Sequence, residues 1–272
     1  MSADSRQVYR GLDIGTAKAT AEERARVVHH GIDLVDPDQP YSIADFRAHA
    51  LAALEPLGAR GGVGILAGGT GFWIRSVIAG IDTDALPSDA AVRAGLEDDL
   101  VRDGVEPLAV RLAALAPALA ARTDLRNPRR VVRALEIATL QGDAPLPEPV
   151  GYPAPVLGLQ LVVDAVEHRR RVAHRARAQF EAGLVAEAGA LRERFDPSLP
   201  SFSAIGYRES WAFLDGQSTL EEAIDLDAAR NVAFAKRQRT WFRREPALAV
   251  LDATGDPLPQ LLPAVEAFVA RL

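Results

Sequence analysis

Residues 62–73, GVGILAGGTGFW, pass from a short apolar run through a Gly-Gly-Thr-Gly turn into the start of a helical pattern. Residues 42–61 show a longer helical pattern that begins at Ser42, with Asp45 three residues on, which is the signature of a helix N-cap. Short apolar runs bounded by Gly, Pro or Asp are typical of buried strands, and the chain has four of them, at 29–37, 62–69, 155–164 and 247–254. This alternation predicts an α/β fold with a mostly parallel sheet and helices on its faces.

The middle of the chain has a different pattern. Residues 86–142 show only helical periodicity, as with Val92, Leu96 and Leu100 at i, i+4 and i+8, and predict two to four helices. Residues 142–155 then carry five prolines, which predicts a connector without helix or central strand. We therefore expect an all-helical insertion within an α/β core, with domain boundaries at 1–85 and 151–272 for the core and 86–150 for the insertion.

Composition excludes several classes of protein. The chain has no cysteine, so neither a disulfide framework nor a thiolate metal site is possible. No apolar run approaches the roughly 20 residues that a membrane-spanning helix needs, and the N-terminal residues lack the pattern of a signal peptide. We expect a cytoplasmic protein that does not enter the membrane.

The net charge is -6, but the positive charges are clustered. Residues 126–133, 168–177 and 230–244 are strongly basic, and the last of these segments has no acidic residue. A basic face can attract a polyanion even on an acidic protein, because the attracting field is set by the nearby charges. Each segment is therefore either a phosphate-binding face or a solvated helix face.

Two short segments carry residues suited to catalysis. In the turn Gly68-Gly69-Thr70, backbone N–H groups and a hydroxyl can contact an anion, and a plain tight turn is the alternative. Asp4 is a candidate general base, because a carboxylate can accept a proton from an attacking nucleophile; an ordinary cap or terminal acid is the alternative. The phosphate-binding motif G-x-x-x-x-G-K-[ST] is absent, and residues 11–18, GLDIGTAK, are a near miss.

Six segments occur in the order and spacing seen in tRNA dimethylallyltransferases, the isopentenyl-tRNA transferase family. The segments are ADSRQVYRGLDIGTAK, HHGIDLVDPDQPYSIADFR, LAGGTGFWIRSVIAG, NPRRVVRALEI, AIGYRES and AKRQRTWFRR. The chain resembles this family from Ala3 to about Arg244, and it is similar to the bacterial type because the zinc finger of eukaryotic members needs cysteines. The resemblance implies a P-loop-NTPase-like α/β core.

The resemblance also implies an activity, the transfer of a dimethylallyl group from dimethylallyl diphosphate to N6 of adenosine 37 of tRNA. Asp4 matches the carboxylate that accepts the N6 proton, and Thr70, in the turn with Gly68 and Gly69, matches the hydroxyl that contacts the diphosphate. Either Arg171 or Arg175 matches the arginine that steadies the leaving diphosphate. Mg²⁺ is expected with the diphosphate, although the sequence shows no ligand cluster for it. A monomer that binds the tRNA anticodon stem-loop is expected.

Other matched positions are tRNA contacts in the family. Their side chains combine the charges, stacking groups and hydrogen-bonding groups that reading a single-stranded loop requires. Trp241 among them can serve either in packing or in base stacking. The positions are Asp4, Ser5, Arg6, Gln7, Arg93, Arg129, Arg130, Val131, Val132, Arg133, Ile205, Gly206, Tyr207, Arg208, Glu209, Ser210, Lys236, Arg237, Gln238, Arg239, Thr240, Trp241, Phe242 and Arg243.

Family members carry a strand and a G-x-x-x-x-G-K-[ST] loop about thirty residues before the Asp-Ser segment, and this chain starts at Met1. The resemblance implies that, without this N-terminal P-loop, the chain binds the donor poorly. Relatives read Val-Ser-Ala-Asp-Ser where this chain reads Met-Ser-Ala-Asp-Ser, so a GTG valine codon taken as a start is one explanation and a true truncation is the other. Translating the upstream DNA in frame separates the two.

Three functions are compatible with the sequence. The first is the transferase, and the second is a catalytically impaired tRNA-binding remnant of such an enzyme. The third is a small-molecule phosphotransferase of the same α/β class, which leaves the basic segments at 126–133 and 230–244 unexplained.

Overall fold

The computed structural model describes residues 1–81, 85–245 and 248–272. The chain divides into two compact units, Met1–Ala79 with Gly151–Leu272 (unit 1) and Gly80–Val150 (unit 2). In chain order the elements are α1 (Ala21–Arg26), α2 (Ile43–Gly58), α3 (Gly71–Ile78), α4 (Ala90–Asp103), α5 (Val105–Leu115), α6 (Pro117–Ala121), α7 (Pro128–Gln141), β1 (Gly158–Val162), α8 (Ala165–Glu181), α9 (Leu184–Arg194), a 3-10 turn (Pro200–Ser203), α10 (Tyr207–Leu214), α11 (Leu220–Phe242), β2 (Leu248–Asp252) and α12 (Leu258–Val269).

The sheet of unit 1 consists of β1 and β2, which pair in parallel from Gly158 opposite Leu248 to Val162 opposite Asp252. Helices fill the long connection between them, as parallel pairing requires. The α/β class is thereby confirmed. The strands predicted within 155–164 and 247–254 are also confirmed, each as a shorter element, and residue 247 lies outside the described residues.

The strands predicted at 29–37 and 62–69 are wrong as continuous strands. In the described part of the chain these segments make only isolated parallel bridges, Tyr9 with Val35 and Ser2 with Ala67. The Ala3 N–H donates to the Ala67 carbonyl at 2.8 Å, and the Ala67 N–H donates to the Met1 carbonyl at 3.0 Å. A strand needs a neighbour along its whole length, and these contacts end after a few residues, so apolar composition alone overestimates the sheet.

Helix α2 begins where the sequence predicts. The Ser42 hydroxyl accepts the Asp45 N–H at 3.1 Å, and the Asp45 carboxylate accepts the Ser42 N–H at 2.7 Å, which completes a reciprocal cap. Behind the cap, Phe46 stacks on Trp73 of α3 with ring centroids 4.3 Å apart. This contact belongs to the core of unit 1. The same core includes Phe202, Tyr207 and Trp211 from the C-terminal part of the sequence.

Unit 2 is helical throughout its described elements, α4 to α7, in agreement with the predicted two to four helices. Its own core is formed by leucines and smaller apolar residues from successive helices, among them Leu96, Leu112 and Leu135. Asn127 caps α7 by accepting the Arg130 N–H at 3.3 Å, with Pro128 in the first turn. The proline-rich segment 142–155 contains neither helix nor strand, as predicted.

None of the helices in the described ranges is long and apolar enough to cross a membrane.

Candidate active site

The N-terminal Asp4 turn and the Gly-Gly-Thr turn lie side by side in unit 1. The Thr70 N–H donates to the Ala3 carbonyl at 3.1 Å, and the Ser5 N–H donates to the Thr70 hydroxyl at 3.1 Å. One Asp4 carboxylate oxygen accepts the Arg6 N–H at 2.8 Å, which fixes the turn. The structure therefore joins the two segments that the sequence offered separately as a general base and an anion contact.

Thr70 is also the N-cap of α3, where its hydroxyl forms no cap bond to the helix. Because the hydroxyl accepts from Ser5, its own hydrogen remains available to donate to a ligand. The first N–H groups of α3 point out of the same end of the helix, where the partial positive charge of the helix favours an anion. The turn thus provides anion-binding donors, and the segment that carries the Asp4 carboxylate is hydrogen-bonded to it.

The glycines of this turn are required for close packing. A Cβ on Gly68 would lie 2.3 Å from the Ala3 carbonyl oxygen, and one on Gly71 would lie 2.1 Å from Nε1 of Trp241. Both distances are impossible for real atoms without a shift of main chain or indole ring. Gln238 of α11 donates to the Gly69 carbonyl at 3.2 Å, so α11 supports the turn directly.

Trp241 serves in packing. Its ring meets Phe72 edge-on at 6.3 Å, and the Arg75 guanidinium lies over it at 4.6 Å. Arg75 in turn forms an ion pair with Glu245. The sequence left open whether Trp241 packs in the protein or stacks on a base. The structure favours packing, because side chains of α3 contact the indole.

The two candidate arginines of α8 differ in what they contact. The Arg171 guanidinium binds Glu167 at 2.6 Å and donates to the carbonyl of Ala253 at 3.0 Å, which ties α8 to the end of β2. Arg175, one turn further on, donates to the Asn231 side chain of α11 at 3.2 Å. Arg175 therefore keeps more of its N–H donors for a ligand.

The surface around Arg175 is cationic. Burial, and then the charges of Arg239, Arg175 and Arg169, lower the pKa of His168. Arg169 and Arg175 of α8 and Arg239 of α11 therefore all lie within electrostatic range of His168. Arginines in this arrangement can contact a diphosphate or an RNA backbone.

The near-miss loop at residues 11–18 binds an anion of the protein itself. The Glu187 carboxylate accepts the Ile14 N–H at 2.9 Å, those of Asp13 and Gly15 at 3.2 and 3.3 Å, and the Tyr207 hydroxyl at 2.7 Å. The loop's lysine, Lys18, is buried and bound to Asp13 and a second carboxylate. Successive N–H groups form an anion nest, and Glu187 already fills it.

The segment 205–210 is mostly internal. Tyr207, Glu209 and Ser210 are buried, while Arg208 is exposed. Gly206 has φ +105, which favours glycine, and its N–H donates to Glu209 at 2.9 Å. Of this segment, the exposed Arg208 is the side chain best placed to reach an RNA.

Beneath this segment lies a second buried carboxylate, Asp227 of α11. Burial first, and then the nearby charge of Glu209, raise the pKa of Asp227 to about 6. The Asn231 amide donates to Asp227 at 2.8 Å, and Arg230 forms an ion pair with Glu209. Arg230 is thereby held at the rim of a shallow cavity of about 210 Å³ that Arg208 and Arg237 also line.

Unit 2 carries the remaining predicted RNA contacts. Arg129 and Arg130 are exposed at the start of α7, whereas Val131 and Val132 are buried and pack in the core. Arg93 and Arg133 are partly exposed and share the carboxylate of Glu136. The two valines therefore support the helix, and the arginines around them are the groups that can reach a phosphate.

No group of three His, Asp or Glu side chains converges as a metal site within residues 1–81, 85–245 and 248–272. Mg²⁺ that is already coordinated by a diphosphate needs only one or two protein carboxylates. The residues present are therefore compatible with a cation brought in by the substrate, and they do not form a cage of their own.

Three carboxylates that accept protein hydrogen bonds were not singled out from the sequence: the buried Glu136 and Asp227, and the half-buried Glu187. A local signal existed for Glu136, because it lies three residues after Arg133 on one helix face. Glu187 contacts a loop more than 170 residues away, and no local pattern marks such a partner.

Comparison with known proteins places the chain. The IPP transferase family model matches residues 7–245. The tRNA dimethylallyltransferase of Heliobacterium modesticaldum is 41% identical over 91% of this chain and 79% of its own length, and that of Thiobacillus denitrificans is 42% identical over 95% and 84%.

Two solved structures share the fold. The tRNA isopentenylpyrophosphate transferase of Bacillus halodurans superposes with a TM-score of 0.70 at 37% identity, over 99% of this chain and 86% of that one. A eukaryotic dimethylallyltransferase acting on tRNA has a TM-score of 0.81 at 23% identity, over 99% and 72%, and is a likeness of fold alone. The family model and the relatives agree over most of the sequence, and the chain therefore belongs to the IPP transferase family of prenyltransferase enzymes.

Proposed function

We propose that this chain transfers a dimethylallyl group from dimethylallyl diphosphate to N6 of adenosine 37 in tRNA. The observation that carries the proposal is the hydrogen-bonded union of the Asp4 turn with the turn that ends at Thr70. It joins the segment that carries a carboxylate to a turn with anion-binding donors, and displacement of a diphosphate by a weak nucleophile requires both groups. Relatives named tRNA dimethylallyltransferase support the substrates.

In this reaction the N6 nitrogen forms a bond to C1 of the dimethylallyl group, and the bond from C1 to the diphosphate oxygen breaks. The carboxylate of Asp4 takes the proton that N6 loses. The Thr70 hydroxyl and the N-terminus of α3 stabilise the departing diphosphate. Mg²⁺, where bound to the diphosphate, supplies further charge neutralisation.

Arg175 is our candidate for the arginine that binds the diphosphate. Arg171 already satisfies a carboxylate and backbone carbonyls, and its removal would disturb the junction of α8 with β2. Arg175 has one hydrogen bond, to the neutral Asn231 amide, and lies close to His168 and to the buried Asp227 carboxylate. Every nitrogen of the Arg171 guanidinium already donates to a protein oxygen, whereas Arg175 uses one nitrogen and keeps further N–H donors for a diphosphate.

The tRNA partner is supported by exposed cations in each unit. In unit 1 these are Arg208 and residues of the C-terminal half of α11, including Lys236 and Arg237. In unit 2 they are the arginines of α7, and we propose that unit 2 acts as an RNA-contacting insertion. We further propose that the protein acts as a monomer in the cytoplasm.

The test is transfer of labelled dimethylallyl to an anticodon stem-loop that contains A36-A37-A38. We expect Asp4→Asn to lower kcat by about 10²- to 10⁴-fold and Thr70→Val by about 10- to 10³-fold, with RNA binding retained. Arg175→Ala should raise KM for the donor more than Arg171→Ala does, after correction for the folded fraction. A stem-loop with G37 is the matched substrate control.

The alternative is a tRNA-binding remnant with impaired catalysis. The observation that supports this alternative is that the sequence contains no G-x-x-x-x-G-K-[ST] motif. Stem-loop binding with no transfer, even at saturating donor, would support the remnant and refute the transferase for this chain. Transfer that is unchanged by Asp4→Asn would refute the assigned base.

A further inference from the structure

In unit 2, one fully buried carboxylate holds two half-buried arginines. The Glu136 side chain has 0% exposure, while those of Arg93 and Arg133 have 43% and 34%. Arg93 donates from Nε and Nη2 to the two Glu136 oxygens at 3.1 and 2.9 Å. Arg133 donates from Nη1 to the same carboxylate at 2.7 Å. The arrangement is asymmetric, because the carboxylate of Glu136 is buried and both guanidinium groups reach the surface.

Further bonds fix the carboxylate and the arginines. Glu136 also accepts the Asp89 N–H at 2.9 Å and the Ser88 hydroxyl at 3.1 Å. Arg93 donates to the same hydroxyl at 2.8 Å, and Arg133 donates to the Pro87 carbonyl at 2.9 Å. Burial opposes ionisation of Glu136, but the donors around it hold its pKa below the usual range. The acid is therefore a fixed anionic anchor near neutral pH.

The bonds of each arginine are on one side of its guanidinium. Within the described residues, Nη1 of Arg93 and Nη2 of Arg133 make no hydrogen bond, so each guanidinium keeps N–H donors that a phosphate can use. A guanidinium fixed in this way loses less side-chain entropy when it binds a phosphate. Arg129 and Arg130 extend the same basic segment at the positive end of α7.

We propose that Glu136 is a positioning residue that holds Arg93 and Arg133 as a preorganised fork for RNA phosphates. The inference rests on the proposed function, since the fork needs an RNA partner. Glu136 itself does not contact the RNA. A buried ion pair that served stability alone could be replaced by apolar side chains, whereas this one keeps two cations partly in solvent.

The sign of a charge-neutralising substitution separates positioning from simple electrostatics. Glu136→Gln removes a negative charge beside the arginines, so if only the net field mattered, RNA would bind more tightly and with a steeper salt dependence. If positioning matters, the released arginines bind less well despite the added positive charge. The two accounts therefore predict opposite changes in the same measurement.

The experiment uses the full chain, with stem-loop binding and transfer kinetics both measured. For Glu136→Gln we expect the Kd and KM for the stem-loop to rise about 10-fold, kcat to stay within about 2-fold, and the log-log salt slope to fall by about 1. Arg93→Ala combined with Arg133→Ala should give at least as large a loss, and adding Glu136→Gln to that pair should change the KM by no more than about 2-fold, because no arginine is left to position.

Asp143→Asn is the matched control. Asp143 is another carboxylate of unit 2, it accepts the N–H groups of Ala118 and Leu119 at 3.0 and 3.1 Å, and among the described residues it forms no ion pair with an arginine. Its substitution should lower stability and leave the KM for the stem-loop unchanged. Folding of every variant is checked by circular dichroism and thermal unfolding.

If Glu136→Gln does not fold, Arg93→Lys with Arg133→Lys keeps the charges, removes the planar fork, and should raise KM by a similar factor. Unchanged or tighter RNA binding by folded Glu136→Gln, or unchanged KM in the lysine variant, overturns the inference. These outcomes leave the proposed function intact. Failure of the wild-type chain to bind the stem-loop would instead overturn the proposed function, and this inference with it.

Discussion

Replacing Asp227 by asparagine should make the protein more stable at neutral pH. The pKa of Asp227 is raised from 3.8 to about 6, by burial first and then by the charge of Glu209, while Arg175 and Arg230 oppose the rise. Between these two values the folded state binds more protons than the unfolded state, so the free energy of unfolding falls as the pH rises through this window. A rise of about two pKa units lowers the free energy of unfolding by about 3 kcal/mol above pH 6, relative to a side chain that stays uncharged.

Asparagine stays uncharged and can still accept the Asn231 amide through its side-chain oxygen, so the substitution removes mainly the cost of ionisation. We expect Asp227→Asn to exceed the wild type in free energy of unfolding by up to about 3 kcal/mol near pH 8 and by about 1 kcal/mol near pH 4.5. Urea unfolding followed by circular dichroism measures the difference. A variant that is less stable near pH 8, or a difference that does not change with pH, would refute the reasoning.

Asp33→Asn is the matched control with the opposite sign. Burial acts to raise the pKa of Asp33, but hydrogen bonds from Lys18 and Arg24 lower it below its usual value. Its contribution to stability is therefore present above the usual pKa and lost as the pH falls through the lowered one. Its backbone has φ +57, which asparagine tolerates. The variant should lose stability near neutral pH and approach the wild type in acid.

Two further substitutions test the packing of unit 1. Tyr207→Phe removes one hydrogen bond to Glu187 and should cost about 1.5 to 3 kcal/mol of unfolding free energy; an unchanged urea midpoint would contradict that contact. Gly68→Ala should cost about 1 to 3 kcal/mol and lower transfer activity by more than the folded fraction explains, because its Cβ meets the main chain of Ala3. Gly58→Ala, with no atom within 4 Å of its Cβ, is the control and should be neutral or stabilising, and equal effects at both glycines would count against the packing argument.

Much of the fold follows from local patterns. The cap at Ser42, the helices of unit 2 and the strands β1 and β2 are each marked by periodicity and by terminal residues close to them in sequence. The predicted strands at 29–37 and 62–69 failed because pairing depends on a neighbour along the whole segment, which composition does not report.

The order of the short motifs, read from the sequence by itself, determined the family and singled out Asp4 and Thr70 as candidates. Only the tertiary structure decided that these two segments are hydrogen-bonded to one another, that the near-miss loop is filled by Glu187, and that Glu136 holds two arginines. The physical reason is the separation along the sequence between the residues that interact. A cap or a helix face is set by residues a few positions apart, whereas a buried carboxylate is stabilised by whichever donors the fold brings to it.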